Sequence, residues 1–362
     1  MTENPTRDAE ELVLHRIERA RGARPRIKEE RITLAHGAGG KATQTLVEAL
    51  FLAEFRNELL EPLGDGAEIS LPHNRIALTT DSFVVSPLFF PGGNIGDLAV
   101  NGTVNDLAVS GADPLYLSAG FVLEEGFPVA DLKRVVRAMS AAATAAGVRI
   151  VTGDTKVVDK GKADGCYINT TGVGVLSGSH RIGISQAQPG DAVLVTGPIG
   201  AHGATIMLAR GELDIEADIV SDTAALHGLV ASLLDDVPGV RALRDATRGG
   251  VATVLNEIAR ASEVAVVLDE GSVPVGGQVR GAAELLGIDP LYVACEGRAV
   301  VVVDGSESEA ALASMRKHPL GAESAVIGRI GADPPGMVLA NTAFGGTRVV
   351  DLLVGDPLPR IC

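Results

Sequence analysis

The sequence predicts an α/β (α+β) fold in two domains, followed by a flexible C-terminal tail. Three observations lead to it. Strand-length apolar runs alternate with helix-periodic stretches in both halves of the chain. A turn-rich crossing around residues 178–191, within SGSHRIGISQAQPGD, separates the halves. The 362 residues, 46% hydrophobic and 21% charged, suffice for two cores. No internal tandem repeat is visible.

Residues 1–31 read as a polar N-terminal extension, mixed in charge, with a short polar helix at 8–22 and no apolar segment of a secretory signal. The first domain is expected over 32–183. There Gly37, Gly39 and Gly40 form a loop, and residues 42–51 follow with helical spacing. A strand over 76–80 ends at Asp81, and 97–110 is helix-periodic. Residues 115–122 form a strand, and the Ala-rich stretch 129–146, with Lys and Arg on one face, forms an amphipathic helix. RIVTGD is a strand that stops at Asp154, and INTTGVGVLS is another. The second domain, 184–346, opens with AVLVTGPIG, a strand entering a glycine loop. A helix over 221–234, the loop RDATRGG feeding a further helix, and strands at 264–268 and 299–303 complete it. Residues 347–362 read as a mobile tail. Pro357 and Pro359 fix φ and disfavour helix, so the end is extended. From Thr347 to Cys362 it can span roughly 50 Å.

Composition excludes several functions. A net charge of −15 repels a phosphate backbone, and without Trp the chain has few stacking platforms for single strands. The three cysteines, Cys166, Cys295 and Cys362, have no CxxC spacing, which argues against a disulfide framework or zinc site and for a reducing cytoplasm. Cys166 and Cys295 sit among apolar residues and read as buried structural thiols. No apolar run is long enough to span a bilayer.

The candidate chemistry is spread over several segments. Asp65 in GDGAE, Asp81 in TTDS, Asp106 in VND and Asp154 in TGDTK place carboxylates at strand ends or in glycine-flanked loops. Hard cations such as Mg²⁺ take such oxygens, with phosphates completing the shell. Singly, each also reads as a turn or cap. GAGGK, ending at Lys41, leads into a helix as phosphate loops do, although on that motif alone a plain glycine turn is the simpler reading. RDATRGG is a second anion candidate, with Arg248 as its charged fork. Lys156 follows Asp154 by two residues, and Glu296 lies between apolar runs in ACEGR. The thiol of Cys362 closes the chain, where it can swing between sites. Its own α-carboxylate should raise its pKa, so attack calls for a cation, with Arg360 a local candidate.

Taken together, GAGGK, TTDSFVVSPLFFPGGNIGDLAVNGTVNDLAVSGADP, the segment around TGDTKVV, RDATRGG, ACEGR and the terminal PRIC resemble the HypE family of hydrogenase maturation proteins. That family lies within the PurM-like superfamily of aminoimidazole ribonucleotide synthetase. The resemblance implies a PurM-like N-terminal domain for ATP binding and dimerisation, a C-terminal α/β domain, and a homodimer. It implies that Cys362 receives a carbamoyl group from the carbamoyltransferase HypF. ATP with Mg²⁺ then drives dehydration to a thiocyanate, and the cyanide passes to iron on the HypC–HypD complex. Catalytic roles fall on Cys362, Lys156 and Glu296, with base and oxyanion partner exchangeable between the last two. Nucleotide contacts fall on Gly39, Gly40, Lys41, Asp65, Asp81, Asn105, Asp106, Gly153, Asp154 and Thr155, and the metal on Asp65, Asp81, Asp106 and Asp154. Asn94 in PGGNIG stands where an acid is expected. Two alternatives stay open: another ATP-dependent enzyme of the superfamily, such as a selenophosphate synthetase, and a non-catalytic carrier.

Overall fold

Four strands make the first layer, and burial alternates along three of them. The computed structural model describes residues 26–37, 41–61, 75–176, 178, 180–211, 217–342, 344–352 and 360–362. Strands β1 (Ile76–Phe83), β2 (Asp113–Glu124), β3 (Arg149–Val158) and β4 (Cys166–Val175) form a sheet in the order β1-β4-β2-β3. Only the β2–β3 pair is parallel. In β2 the side chains of Leu117, Ala119, Phe121 and Leu123 are buried on one face, and alternate residues point to the other.

Two helices cover the buried face. The helix predicted over 129–146 is Val129–Ala145, and that over 97–110 is Ile95–Val109. Asn94 accepts from Gly96 N–H, and Asp97 accepts from Asn94 N–H, so the unexpected asparagine is half of a capping box. Ile95–Val109 is buried almost all round because it lies between this sheet and the second domain. We call the helices so far α1 (Lys41–Leu46), α2 (Leu52–Phe55), α3 (Ile95–Val109) and α4 (Val129–Ala145). The single helix expected over 42–51 is instead α1, a π turn at Val47–Phe51, and α2. That turn keeps Leu50, Phe51, Leu52 and Phe55 facing inward, with the Phe51 ring 4.8 Å from that of Phe121.

The second sheet has seven strands: β5 (Ala192–Val195), β6 (Val240–Asp245), β7 (Ala265–Asp269), β8 (Ala299–Val303), β9 (Ala325–Gly331), β10 (Val338–Asn341) and β11 (Thr347–Val349). Their order is β11-β10-β7-β9-β5-β8-β6. AVVVV in β8 is buried at every position because both faces are covered. Helix α7 (Gly250–Ser262) packs on one side, and α6 (His227–Asp236) with α9 (Ser308–Lys317) on the other. Helices α5 (Ala201–Ala209) and α8 (Gly277–Leu286) pack together at one end.

Two expectations need correction here. The segment read as tail from Thr347 begins as β11, paired with β10, and Val350 is fully buried. The helix expected over 221–234 starts only at His227, because Ser221, Asp222 and Thr223 are engaged in side-chain hydrogen bonds at the domain seam. Among the described residues no helix is long and apolar enough to cross a membrane. Among the described residues, none covers the outer face of the first sheet, where Leu78 is 68% exposed.

Candidate active site

The C-terminal residues lie folded back into the seam between the domains. Val84 N–H donates to an α-carboxylate oxygen of Cys362 at 3.1 Å, and Ser86 N–H donates to the Arg360 carbonyl at 3.1 Å. Ile361 is 1% exposed, in the core cluster that includes Ile206 and Val293. This places the Cys362 sulfur 3.7 Å from Arg248 Nη2, in a cavity of about 430 Å³ lined by Thr80, Asp81, Ser82, Thr247, Arg248, Glu296 and Cys362. The cation beside the thiol is thus Arg248 from RDATRGG. Arg360, the local candidate, pairs with Asp164 instead. The thiol pKa is pushed up, chiefly by burial and then by Glu296, while Arg248 works against the rise.

Glu296 is 2% exposed, and its Oε1 lacks a hydrogen-bond partner. Burial drives its pKa well above the usual carboxylate range, and Asp245, Asp222 and Asp81 add to the rise. Its backbone is fixed from two sides. Asp222 Oδ1 accepts from Glu296 N–H at 2.9 Å, and Asn105 Nδ2 donates to the Glu296 carbonyl at 3.1 Å. Gly297 is required beside it, since a Cβ there would stand 1.9 Å from the Asp222 carbonyl oxygen.

Three further carboxylates converge on this seam. Asp81 on β1 and Asp106 on α3 both have raised pKa values through burial, and Asp106 Oδ2 accepts from Thr79 Oγ1 at 2.7 Å. Asp245, closing β6, is raised to about 7 by burial and then by Asp106, with Arg244 opposing. Burial and mutual repulsion that Arg244 and Arg248 offset only in part suit a hard cation. Among the described residues no three acids stand at metal-ligand spacing, but Mg²⁺ is commonly held by one or two carboxylates plus waters and phosphates. The residues present fit a Mg²⁺–phosphate group on Asp81, Asp106 and Asp245.

Other predicted residues lie elsewhere. Asp154 and Lys156 pair with each other at 3.1 Å, both about two-thirds exposed. Their register against Gly120 and Val122 puts them on the outer face, opposite to α3 and α4. They stand three strand spacings from β1, roughly 14 Å. The structure therefore corrects two expectations: Lys156 is not beside Cys362 within one chain, and Asp154 does not join Asp81 and Asp106. Asn105 is a buried strut, bonded to Ala224 O, Glu296 O and Leu226 N–H, rather than an exposed nucleotide contact. Gly153, Asp154 and Thr155 do rim a second cavity of about 530 Å³ walled by Phe51, Phe55, Leu60, Ala119 and Phe121. Gly39, Gly40 and Asp65 lie outside the described residues, as does the side chain of Lys41, the first residue of α1.

Comparison with known proteins bears directly on this arrangement. Residues 64–176 match the family described as AIR synthase related protein, N-terminal domain, and residues 188–339 the C-terminal domain of the same description. The chain is 55% identical over 337 residues to carbamoyl dehydratase HypE of Cupriavidus necator, covering 93% of this chain and 96% of that protein. It belongs to the HypE family. A solved HypE in complex with ATP superposes with a TM-score of 0.88 at 46% identity, over 91% of this chain and 99% of that one. A solved HypE–HypF complex matches at a TM-score of 0.75 and 48% identity, over 85% of this chain and 99% of the other. The two-domain PurM-like fold expected from the motifs is the fold of the HypE family.

Sequence reasoning missed Asp245, Asp222 and His202. Asp245 carries the same signal that identified Asp81, an acid ending an apolar strand, and stands inside RDATRGG. Asp222 and His202 have no local signature, because their partners are 74 and 159 residues away.

Proposed function

We propose that this chain dehydrates a carbamoyl group, carried as a thiocarbamate on Cys362, to a protein-bound thiocyanate, with ATP consumed to ADP and phosphate. The cyanide so formed becomes an iron ligand of [NiFe]-hydrogenase. The observation that carries the reading is the Cys362 sulfur in an acidic cavity beside Glu296 and Arg248. An amide oxygen leaves poorly as water but readily as phosphate once phosphorylated, and the nitrogen must then give up two protons as the C≡N bond forms.

Glu296 is the base for that nitrogen. Its raised pKa makes the carboxylate a stronger base than an exposed one, and its unpartnered Oε1 can accept from the carbamoyl NH₂. Arg248 neutralises charge developing beside the sulfur. When bound, Mg²⁺ would supply charge neutralisation of the phosphates from Asp81, Asp106 and Asp245. The cavity rimmed by Gly153, Asp154 and Thr155 is apolar-walled, as a purine base requires.

The same reading assigns HypF as the carbamoyl donor, the HypC–HypD complex as the acceptor, and the cytoplasm as the place. It also assigns a homodimer, whose second copy covers the outer face of the first sheet. Lys156 stands on that face, so its role belongs to a site shared between two chains. Intact mass after incubation with carbamoyl phosphate, the transferase and ATP tests the proposal. A gained carbamoyl on Cys362 followed by ATP-dependent loss of one water supports it, and labelling of any other residue overturns it.

A further inference from the structure

The last three residues are gripped by side chains that take no part in the chemistry above. His202 is fully buried, and burial lowers its pKa to about 4, so the ring is neutral. Its Nε2 lies 2.7 Å from the Ile361 carbonyl oxygen, which can only accept, so Nε2 carries the proton. Nδ1, 2.8 Å from Ser221 Oγ, must then accept the hydroxyl proton. Ser221 Oγ in turn accepts from Thr223 N–H at 3.1 Å, while Ser221 N–H donates to Pro91 O. Every proton in this relay has one place to be. The ring is further fixed by Phe90, edge-on at 5.5 Å.

Arg210, the C-cap of α5, bridges the tail to the body. Its Nε donates to Ser86 O at 3.0 Å and its Nη2 to Arg360 O at 2.9 Å. Residues 84 and 86 supply the N–H groups, so the tail lies as a short antiparallel addition to that segment. Arg360 adopts φ +53°, a left-handed conformation in which a side chain is disfavoured. Contacts on both sides of it impose that geometry: the Arg210 fork, the ion pair to Asp164, and the buried Ile361 side chain.

We propose that α5 and residues 84–86 form a receptor for the chain's own terminal Arg-Ile-Cys, and that His202 and Arg210 are positioning residues that set the fraction of time the sulfur spends at Glu296. They read the backbone carbonyls of residues 360 and 361 and the Ile361 side chain, not the thiol, so a group loaded on sulfur leaves the grip intact. The functional consequence rests on the carrier role of Cys362 argued above; the receptor itself does not.

The test is the alkylation rate of Cys362 by iodoacetamide at pH 8 in the full-length protein, mapped by mass spectrometry. Cys166 and Cys295 are buried and serve as internal controls of folding. Arg210→Ala removes two charge-assisted bonds and should raise labelling of Cys362 roughly ten- to hundredfold. Ile361→Ala leaves every side chain of the receptor in place, removes the tail's apolar anchor, and should raise labelling by about tenfold or more while Cys166 and Cys295 stay protected. With the transferase present, both variants should load carbamoyl faster and dehydrate it more slowly. Labelling within twofold of the parent protein in both variants overturns the receptor. Faster labelling with no carbamoyl ever found on Cys362 leaves the receptor standing and removes the carrier reading instead, whereas faster labelling with unchanged loading and dehydration rates overturns the claim that the receptor sets the sulfur's time at Glu296.

Discussion

Asp245→Asn gives a direct measure of the electrostatic strain at this seam. The carboxyl is almost fully buried, and its pKa rises from 3.8 to about 7 through burial and the neighbouring Asp106. A folded-state pKa above the unfolded one means the unfolded chain releases the proton first, so folding loses stability as pH climbs from about 4 to 7. At 1.36 kcal/mol per unit, a shift of about three units amounts to about 4 kcal/mol, fully expressed above pH 7. Asparagine keeps the shape and removes the titration. Urea unfolding of the metal-free protein should therefore show the variant gaining on the parent by about 2–3 kcal/mol between pH 5 and 8. Added Mg²⁺ and ATP should narrow the gap, since the cation relieves the parent alone. A difference that stays flat with pH, or a variant weaker than the parent at pH 8, would refute the idea that burial and Asp106 outweigh Arg244 at Asp245.

Glu296→Gln should cut the dehydration rate by about 10²–10⁴-fold while carbamoyl loading of Cys362 proceeds, read as a mass that stalls before losing water. Cys362 should leave its receptor as pH rises above about 9. Its docked pKa is raised, so docking is complete below the free-thiol pKa and falls off above it, which tail-specific proteolysis against pH will detect. Gly153→Ala puts a Cβ 2.3 Å from the Ala119 carbonyl oxygen, so it should cost about 1–3 kcal/mol and weaken nucleotide binding measured by calorimetry.

Where local pattern decides structure, the chain was readable. The amphipathic stretch from Val129 ends within one residue of its expected position, and the β7 and β8 segments lie where their apolar runs fall, whereas residues 242–245, read as part of a loop, belong to strand β6. Tertiary demand overrode pattern in three places. Helix α6 starts late because Ser221 and Asp222 serve His202 and Glu296. The helix after residue 41 breaks at a π turn so that Phe51 and Phe55 both reach the core. Asn105 is expected as a nucleotide contact, yet its bonds go to backbone groups of the other domain. Cys362 and Glu296 were legible through their motifs. Arg248 was legible as the charged fork of an anion-site candidate but not as the thiol's neighbour, because its partnership with the terminal sulfur spans 114 positions. Strand parity separates Asp154 and Lys156 from that pair, and parity becomes decisive only once the partner strands are known.

The strut made by Asn105 has a mechanical consequence. One amide ties Ala224, Leu226 and Glu296 to the helix that also carries Asp106, so a hinge opening at that joint would displace the two carboxylates together. On the proposed reading the reaction chamber is thereby kept stationary. Exchange of the carried group then falls to the terminal Arg-Ile-Cys, whose release leaves the chamber's alignment untouched from one turnover to the next.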